Sequence, residues 1–488
     1  MTQRLAAVGR SALPRLLRHP LTWVVLVAVL IRVIVVAGVS VSLGYADSVR
    51  YVGQASGDDI QGDGIAPPGY ALFLRLVHAV SESVDAVLVV QQVLGIVAGV
   101  CVYLTARLMG TTRGVAAGAA AVMMLCGNLL STGQAVLTET LFTTLIAVVA
   151  LLAIRAATSP SLTNALLLGA SLGGAIAVRT VALPVSLVLI ALIVLIADRS
   201  RAGAARAAAS VGAAVAVVGV VALAMSTTWG LPVLGKTADG WVLYGRVAPF
   251  ADCDAIDPPS RLQELCPTEP GTRPGPDYYR FVGGPALERF GALPRGDSML
   301  NDFAVRAILA QPDDYAKAVA IDSIRFFAPN FGTERPYGGP GWDELELDRQ
   351  LDPAAAATNK RYIEAWFSPY SPRDSTLRIA ARYQEATTIY GGHLLVLVLL
   401  AVAGVIWGAG RRRRAAWLLL AGGLGLLVGA AAINQYIARY ALPTFGFLLP
   451  AAAYGLTMLA RRIVAPAGSE PVSAGSEDAT VVGTGVKV

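Results

Sequence analysis

The chain of 488 residues is 55% hydrophobic and only 15% charged, which excludes an ordinary soluble globular protein. Its mean hydropathy of +0.59 indicates a protein that crosses a membrane several times. The net charge of +6 does not point to nucleic acid, because most arginines stand in short clusters between apolar segments, where they indicate membrane topology.

Ten apolar segments are long enough, or nearly so, to cross a bilayer, for which a helix needs about 20 mostly apolar residues. They cover residues 21–42, 85–106, 114–130, 135–154, 162–178, 181–197, 207–228, 389–409, 415–433 and 441–460. The first segment is too long for the apolar core of a typical signal peptide, which favours an uncleaved helix. We therefore predict an α-helical polytopic membrane protein with about ten transmembrane helices.

Arginine clusters predict the orientation of these helices. With a cytoplasmic N-terminus, all the clusters fall on the inner side, as the positive-inside rule requires. They comprise Arg107 and Arg113, Arg155, Arg199 with Arg201 and Arg206, the run Arg411 to Arg414, and Arg461 with Arg462. The unusual polar residues then face outward, and we expect a plasma-membrane protein with its active site on the extracytoplasmic face.

Four parts of the chain follow from this topology. We predict an N-terminal transmembrane module over 1–228, which includes a first outer loop over 43–84. A large extracytoplasmic domain of mixed structure follows over 229–388, where Pro/Gly-rich turns alternate with helical patterns. Further transmembrane helices occupy 389–463, and a small, polar cytoplasmic tail over 464–488 is predicted to be disordered.

Two cysteines of the outer segment, Cys253 and Cys266, lie thirteen residues apart in a Pro-rich stretch. On the oxidising side of a membrane, this spacing favours a disulfide. A metal pair is disfavoured, because the whole chain contains only three histidines.

Four ionisable residues from distant parts of the chain are predicted to lie at one membrane depth on the outer face. Asp47 follows the first apolar segment, Glu139 begins the fourth, Arg179 separates the fifth from the sixth, and Arg439 precedes the last. Charged groups at this depth are costly unless they have a partner or a function. They could converge on a polar cavity, or form helix-end salt bridges such as Glu139 with Arg179.

Several motifs in one order carry a resemblance to a known superfamily. Asp47 and Tyr51 form D-x-x-x-Y after the first helix, and PPGYALFL (67–74), TETLF (138–142), GGAIAVRT (173–180) and RYALP (439–443) follow. This order resembles the GT-C superfamily, and more narrowly its protein mannosyltransferase and aminoarabinose transferase type, which is widespread in actinobacteria. The resemblance covers residues 20–200 and, more weakly, the C-terminal helices.

The resemblance implies a polyprenyl-phosphate sugar donor in the outer leaflet and an acceptor in a cavity under the outer domain. Asp47 matches the catalytic acid of the first outer loop, whereas Asp58 and Asp59 have no firm counterpart and are supporting candidates. Many relatives carry a basic residue just before Pro-Pro-Gly-Tyr, where this chain has Ala66. Tyr51 and Tyr70 could border the sugar or the carrier, or simply anchor the chain at the membrane interface.

The residue chemistry is consistent with such a transfer. A polyprenyl phosphate leaves as an anion and needs no general acid, so one base and nearby cations suffice. Asp47 is the expected base, and Arg179 and Arg439 are expected to bind the phosphate, for which guanidinium offers a matched fork of donors. No cofactor is required, although a divalent cation held by Asp47, Asp58 or Asp59 stays open.

The sequence limits the sugar and the acceptor to a few candidate classes and does not identify either. Mannose or arabinofuranose is the expected sugar, and the acceptor is a cell-envelope glycan, glycolipid or protein. A lipid or glycan transporter and a non-catalytic membrane scaffold are the alternatives; a transporter would place its polar groups nearer the bilayer midplane. Since the chain has no Walker loop, GxGxxG or HExxH motif, nucleotide-driven transport and zinc peptidase chemistry are excluded.

Overall fold

The computed structural model describes residues 18–57, 66–194, 200–229, 238–267, 275–282, 284–291, 293–328, 345–348 and 353–464. The candidate carboxylates Asp58 and Asp59 and the predicted tail from residue 465 onward lie outside these ranges. In the described part of the chain every regular element is a helix, and one isolated β-bridge joins Ser42 and Ala135. In the described residues of the outer segment, helices alternate with turns and no strand is present, and the extent of this segment as a separate domain stays a prediction.

The N-terminal half contains ten α-helices, counted over the described residues. They are α1 (Pro20–Gly38), α2 (Ala46–Ser56), α3 (Gly69–His78), α4 (Val84–Leu108), α5 (Arg113–Leu125), α6 (Gly127–Thr132), α7 (Thr138–Thr158), α8 (Leu162–Val178), α9 (Ala182–Leu192) and α10 (Arg201–Trp229). Helices α2 and α3 are the two short helices of the first outer loop, so this loop is a folded element that packs on the membrane helices.

The remaining α-helices belong to the outer segment and the C-terminal membrane part. They are α11 (Asp239–Val247), α12 (Cys253–Ile256), α13 (Pro285–Phe290), α14 (Asp297–Ala310), α15 (Pro312–Arg325), α16 (Pro353–Glu364), α17 (Leu377–Thr387), α18 (Gly391–Trp407), α19 (Gly410–Ile433) and α20 (Phe445–Val464). A short π-helix (Tyr278–Val282) and 3-10 helices (Ser260–Leu265 and Ala438–Thr444) complete the description.

Six helical segments in the described residues are long and apolar enough to cross a membrane: Pro20–Gly38, Val84–Leu108, Thr138–Thr158, Arg201–Ala224, Gly410–Ile433 and Ala438–Val464. A seventh is added if α17 and α18, bent by 42°, count as one span. Three shorter apolar helices, α5, α8 and α9, coincide with three further predicted segments. The polytopic helical architecture is thus confirmed, and the total of about ten spans stays a prediction.

The predicted span over 114–130 is interrupted at Cys126, where the backbone becomes extended between α5 and α6. A buried arginine in α1 stabilises this break: Arg32 donates to the carbonyl oxygens of Met124 (2.6 Å) and Gln92 (3.0 Å). Carbonyl groups at a helix end need such donors where water is scarce. The break lets the chain change direction before α7 begins at Thr138.

The outer segment contains two differently packed parts. Residues between Ala238 and Ala307 form a separate apolar core around Trp241, Tyr244 and Phe303, and the disulfide between Cys253 and Cys266 lies in this part. By contrast, Phe326, Leu345, Ile363 and Phe367 join the core formed by the membrane helices. The second part is therefore continuous with the transmembrane module.

A buried ion-pair network joins these parts to the membrane module. Asp322 on α15 accepts from Arg246 on α11 (2.7 Å) and Arg325 (3.2 Å), and both Asp322 and Arg246 are almost fully buried. The same carboxylate accepts from the backbone N–H of Tyr436 (3.2 Å). The loop between α19 and α20 is consequently attached to the outer segment.

Candidate active site

A cavity of about 620 Å³ lies where the first loop (43–84), the N-terminal end of α7, the C-terminal end of α8 and the α19–α20 loop meet the segment over 229–388. Its charged lining residues are Asp47, Arg50, Arg179, Asp239, Asp277, Arg280 and Arg439. Apolar side chains of α19 and of the α8–α9 turn line another part, including Val181, Leu426 and Ala430. The cavity thus combines a polar region with an apolar wall, as expected of a site for an amphiphilic ligand.

Asp47 stands in the first turn of α2, where the helix dipole favours a carboxylate. Each of its oxygens accepts from a different arginine: Oδ1 accepts from Nη1 of Arg50 at 2.7 Å, and Oδ2 accepts from Nη2 of Arg439. About a quarter of the Asp47 side chain remains exposed. Its unused lone pairs can therefore accept a further hydrogen bond from a group in the cavity.

Glu139 is buried in the first turn of α7 and holds two of the arginines. Its Oε1 lies 2.7 Å from Nη1 of Arg179 and 3.1 Å from Nε of Arg439. Thr138 also accepts from Arg179, at 3.0 Å. Arg439 is thereby placed between two carboxylates, Asp47 and Glu139.

Arg179 ends α8 in an extended conformation, and its guanidinium lies 4.3 Å from the centre of the Tyr440 ring. The Pro-Pro-Gly-Tyr motif contributes to this geometry. Gly69 approaches the carbonyl of Ala177 so closely that a Cβ at this position would lie 2.5 Å from its oxygen. Glycine therefore lets α3 pack directly against the residues that precede Arg179.

A comparison with known families bears on this arrangement. Residues 66–226 match the sequence model of the dolichyl-phosphate-mannose-protein mannosyltransferase family. The match confirms the resemblance inferred from the motifs and supports a membrane glycosyltransferase of the GT-C type. No curated protein and no solved structure matches the chain.

The mannosyltransferase match covers part of the cavity only. Glu139 and Arg179 lie within the matched residues, whereas Asp47 and Arg50 precede them and Arg439 follows them. The structure brings all five side chains together through direct ion pairs. The pairing of Glu139 with Arg179, which the sequence offered as an alternative to a cavity, thus occurs within the cavity cluster itself.

The electrostatics of the cluster favour an anionic ligand. Among its described members, three arginines face two carboxylates, so the cluster carries a net charge of about +1. Burial raises the pKa of the Asp47 carboxyl, but the charges of Arg439, Arg50 and Arg179 outweigh burial and hold this pKa below its ordinary value. Asp47 is therefore ionised at neutral pH.

The two candidate tyrosines differ in position. Tyr51 lines the cavity and packs edge-on against Tyr70, with ring centres 5.0 Å apart. Tyr70 is fully buried beneath it and donates to Oε1 of Gln91 at 2.8 Å. Contact with a ligand is thus open to Tyr51, while Tyr70 supports it from behind.

Sequence reasoning missed Arg50, Asp277, Arg280 and Asn434, all of which line the cavity. A local signal for three of them was present. Asp47 and Arg50 in DSVR, like Asp277 and Arg280 in DYYR, stand three residues apart, a spacing that pairs side chains on one helix face. In both motifs the pair forms at 2.7 Å.

The structure leaves the suggested cation site untested, since Asp58 and Asp59 fall outside the described ranges. Among the residues that are described, no group of three or more His, Cys, Asp or Glu side chains is arranged to hold a metal ion. The two oxygens of Asp47 are instead engaged by arginines.

Proposed function

We propose that the protein transfers a sugar from a polyprenyl-phosphate donor to an acceptor hydroxyl at the extracytoplasmic face of the plasma membrane. The observation that carries this proposal is the single cavity in which a partly exposed carboxylate, Asp47, stands among three arginines beside an apolar wall. A base, an anion site and a lipid-compatible surface are the three features that such a transfer needs.

Asp47 acts as the base in this proposal. The acceptor oxygen attacks the anomeric carbon, the bond from that carbon to the phosphate oxygen breaks, and the acceptor proton passes to a carboxylate oxygen of Asp47. Polyprenyl phosphate leaves with the bonding electron pair. A single displacement of this kind inverts the anomeric centre.

Arg50, Arg179 and Arg439 bind and neutralise the phosphate. Guanidinium groups pair with phosphate oxygens through two parallel hydrogen bonds, which also fix the orientation of the donor. Arg50 lines the cavity together with Ala66, the position at which relatives are expected to carry a basic residue. We therefore propose that Arg50 supplies the positive charge that is missing at Ala66, just before the Pro-Pro-Gly-Tyr motif.

This arrangement also means that the donor binds before Asp47 becomes basic enough to deprotonate the acceptor. In the absence of donor, Arg50 and Arg439 pair with Asp47 and lower its pKa, so that it is a weak base. An incoming phosphate competes for the same guanidinium groups. Its binding weakens their hold on Asp47 and raises the basicity of the carboxylate when a donor is in place.

Mannose is the first candidate sugar, because the matched family description names dolichyl-phosphate-mannose. Arabinofuranose is the second candidate. The acceptor is a cell-envelope glycan, glycolipid or protein, and residues of the outer segment, including Asp239 and Asp277, line the cavity.

The test is transfer of radiolabelled sugar by the purified protein in detergent, with polyprenyl-phosphate mannose and polyprenyl-phosphate arabinofuranose as donors and a cell-wall extract as acceptor. Label should enter the acceptor fraction, and Asp47→Asn should abolish this transfer. Equal rates of label transfer to the acceptor by the wild type and by a folded Asp47→Asn variant would contradict the role assigned to Asp47. A complete absence of transfer by the wild type would overturn the proposed function.

A further inference from the structure

A second polar cluster lies in the cavity wall, formed by Asp277 and Arg280 of the outer segment with Asn434 and Gln435 of the α19–α20 loop. Arg280 donates to Oδ1 of Asp277 (2.7 Å) and to Oδ1 of Asn434 (2.6 Å). Gln435 donates to the other oxygen of Asp277, at 2.9 Å. The four side chains therefore form one connected hydrogen-bonded unit.

Exposure within this cluster is uneven. Arg280 is 3% exposed at its side chain, whereas Asp277 is 47% exposed and lines the cavity. Arg280 and Gln435 thus hold the Asp277 carboxylate in place from the protein side. The remaining lone pairs of that carboxylate are available to donors that enter the cavity.

The charge of this cluster differs from that of the Asp47 cluster. Asp277 and Arg280 neutralise each other, and Asn434 and Gln435 are uncharged. The nearby Asp239, which is exposed and also lines the cavity, adds a negative charge. A phosphate is disfavoured here, while a ligand rich in hydroxyl groups can donate to the carboxylates and accept from the amide of Asn434, which lines the cavity.

Tyr440 connects the two clusters. Its hydroxyl oxygen lies 3.2 Å from Nδ2 of Asn434, and its ring contacts the guanidinium of Arg179 at 4.3 Å. A ligand held at Asp277 is therefore in the same cavity as the groups assigned to the donor phosphate, with Tyr440 between the two sites.

We infer that Asp277, held by Arg280 and Gln435, is the binding residue of an acceptor subsite that recognises the hydroxyl groups of a carbohydrate. This inference rests on the proposed transfer reaction and makes its acceptor a glycan or glycolipid. Asp277 and Arg280 lie outside the matched residues 66–226, so that this subsite belongs to the chain's own outer segment.

Asp277→Asn tests the inference, since it keeps the shape of the side chain but removes the charge that the hydroxyl groups contact. Asp254→Asn is the matched control, because Asp254 is an exposed carboxylate of the same segment that does not line the cavity. Transfer from polyprenyl-phosphate mannose is measured with octyl glycosides and with a Ser/Thr-containing peptide as acceptors. Binding of octyl mannoside is measured separately by thermal shift.

We expect the wild type to use the glycosides in preference to the peptide. Asp277→Asn should raise the acceptor KM about tenfold or more and lose the thermal shift, with the donor KM unchanged, and Asp254→Asn should behave as wild type. Preference for the peptide, an unchanged acceptor KM, or a donor KM that rises in proportion would overturn the subsite. If Asp277→Asn folds poorly, Asp277→Glu takes its place in the same assays, because it retains the charge but displaces it.

The two proposals fail in different ways. If the wild type binds octyl mannoside in an Asp277-dependent manner but transfers no sugar, the proposed reaction fails and the carbohydrate subsite stands. If the wild type transfers sugar and Asp277→Asn matches it in acceptor KM and in thermal shift, only the subsite fails.

Discussion

Replacement of Asp47 by asparagine removes one charge and one proton acceptor with almost no change of shape. The amide can still accept through its oxygen from one of the two arginines that contact Asp47. Arg439 keeps a counter-charge, because its Nε lies 3.1 Å from Glu139. The Arg50 pair is about a quarter exposed, and such pairs contribute little to stability.

The expected costs of this replacement to activity and to stability differ in size. Loss of a general base lowers the rate by about 10² to 10⁴, which corresponds to about 2.7–5.4 kcal/mol in the activation free energy. The lost charge-assisted hydrogen bonds should lower the free energy of unfolding by only about 1–3 kcal/mol. Activity should thus fall by orders of magnitude while the protein remains folded.

The assay compares kcat at saturating donor with the Tm of the same detergent-purified sample. Asp85→Asn provides the matched control, because Asp85 also stands in the first turn of a helix, pairs with an arginine, Arg373, at 2.7 and 2.8 Å, and does not line the cavity. It should lose stability to a similar extent and keep its kcat.

Retention of most of the activity by a folded Asp47→Asn protein would refute the assignment of Asp47 as the base. Asp58 or Asp59 would then be the next candidates. An equal loss of kcat in Asp85→Asn would instead show that the effect of Asp47→Asn is structural, and would likewise remove the evidence for a base.

Three further outcomes are expected. Arg50→Ala should raise the donor KM about tenfold at nearly unchanged Tm. Arg439→Ala should in addition destabilise the fold by about 1–3 kcal/mol, because its charge-assisted contacts with Asp47 and Glu139 are lost; equal Tm values for the two variants would contradict this. Cys253→Ser should lower the free energy of unfolding by about 3 kcal/mol through loss of a short closed loop, as measured by denaturant titration against unreduced wild type; reduced wild type should match the variant. The arginines lower the folded-state pKa of Asp47, so its ion pairs stabilise the fold fully above the unfolded pKa of about 3.9. This stabilisation is lost as the pH falls through the folded-state pKa. The Tm difference between wild type and Asp47→Asn should therefore be constant from about pH 8 to pH 5 and shrink below about pH 4.

The sequence was informative wherever a single residue carried a strong local constraint. Asp47, Glu139, Arg179 and Arg439 stood out because charges beside apolar segments are costly, and the structure gathers all four. Helix length and the arginine clusters predicted a common membrane depth for them. Of their pairwise contacts the sequence offered only that of Glu139 with Arg179, and those of Arg439 followed from no local pattern.

The remaining features depend on packing that no local pattern encodes. Helix α5 ends at Leu125 because Arg32, more than 90 residues earlier, reaches the carbonyl of Met124. Tyr70 could not be separated from Tyr51 by residue type, since both lie in short amphipathic helices and only the packing of α3 on α4 buries one of them. Arg280 is placed by the approach of the outer segment to Asn434, a contact across 154 residues.

The contact between Arg439 and Asp47 joins residues 392 positions apart, and it has a consequence for biosynthesis. At about 5–20 residues per second, a ribosome needs about 20–80 s to add the intervening chain after Asp47 has emerged. Throughout this interval the nascent protein already occupies the bilayer with its early helices, yet its carboxylate has no Arg439 beside it. Under the proposed function, a chain stalled before its last helix is inserted in the membrane but lacks Arg439, and it should be unable to use the donor lipid.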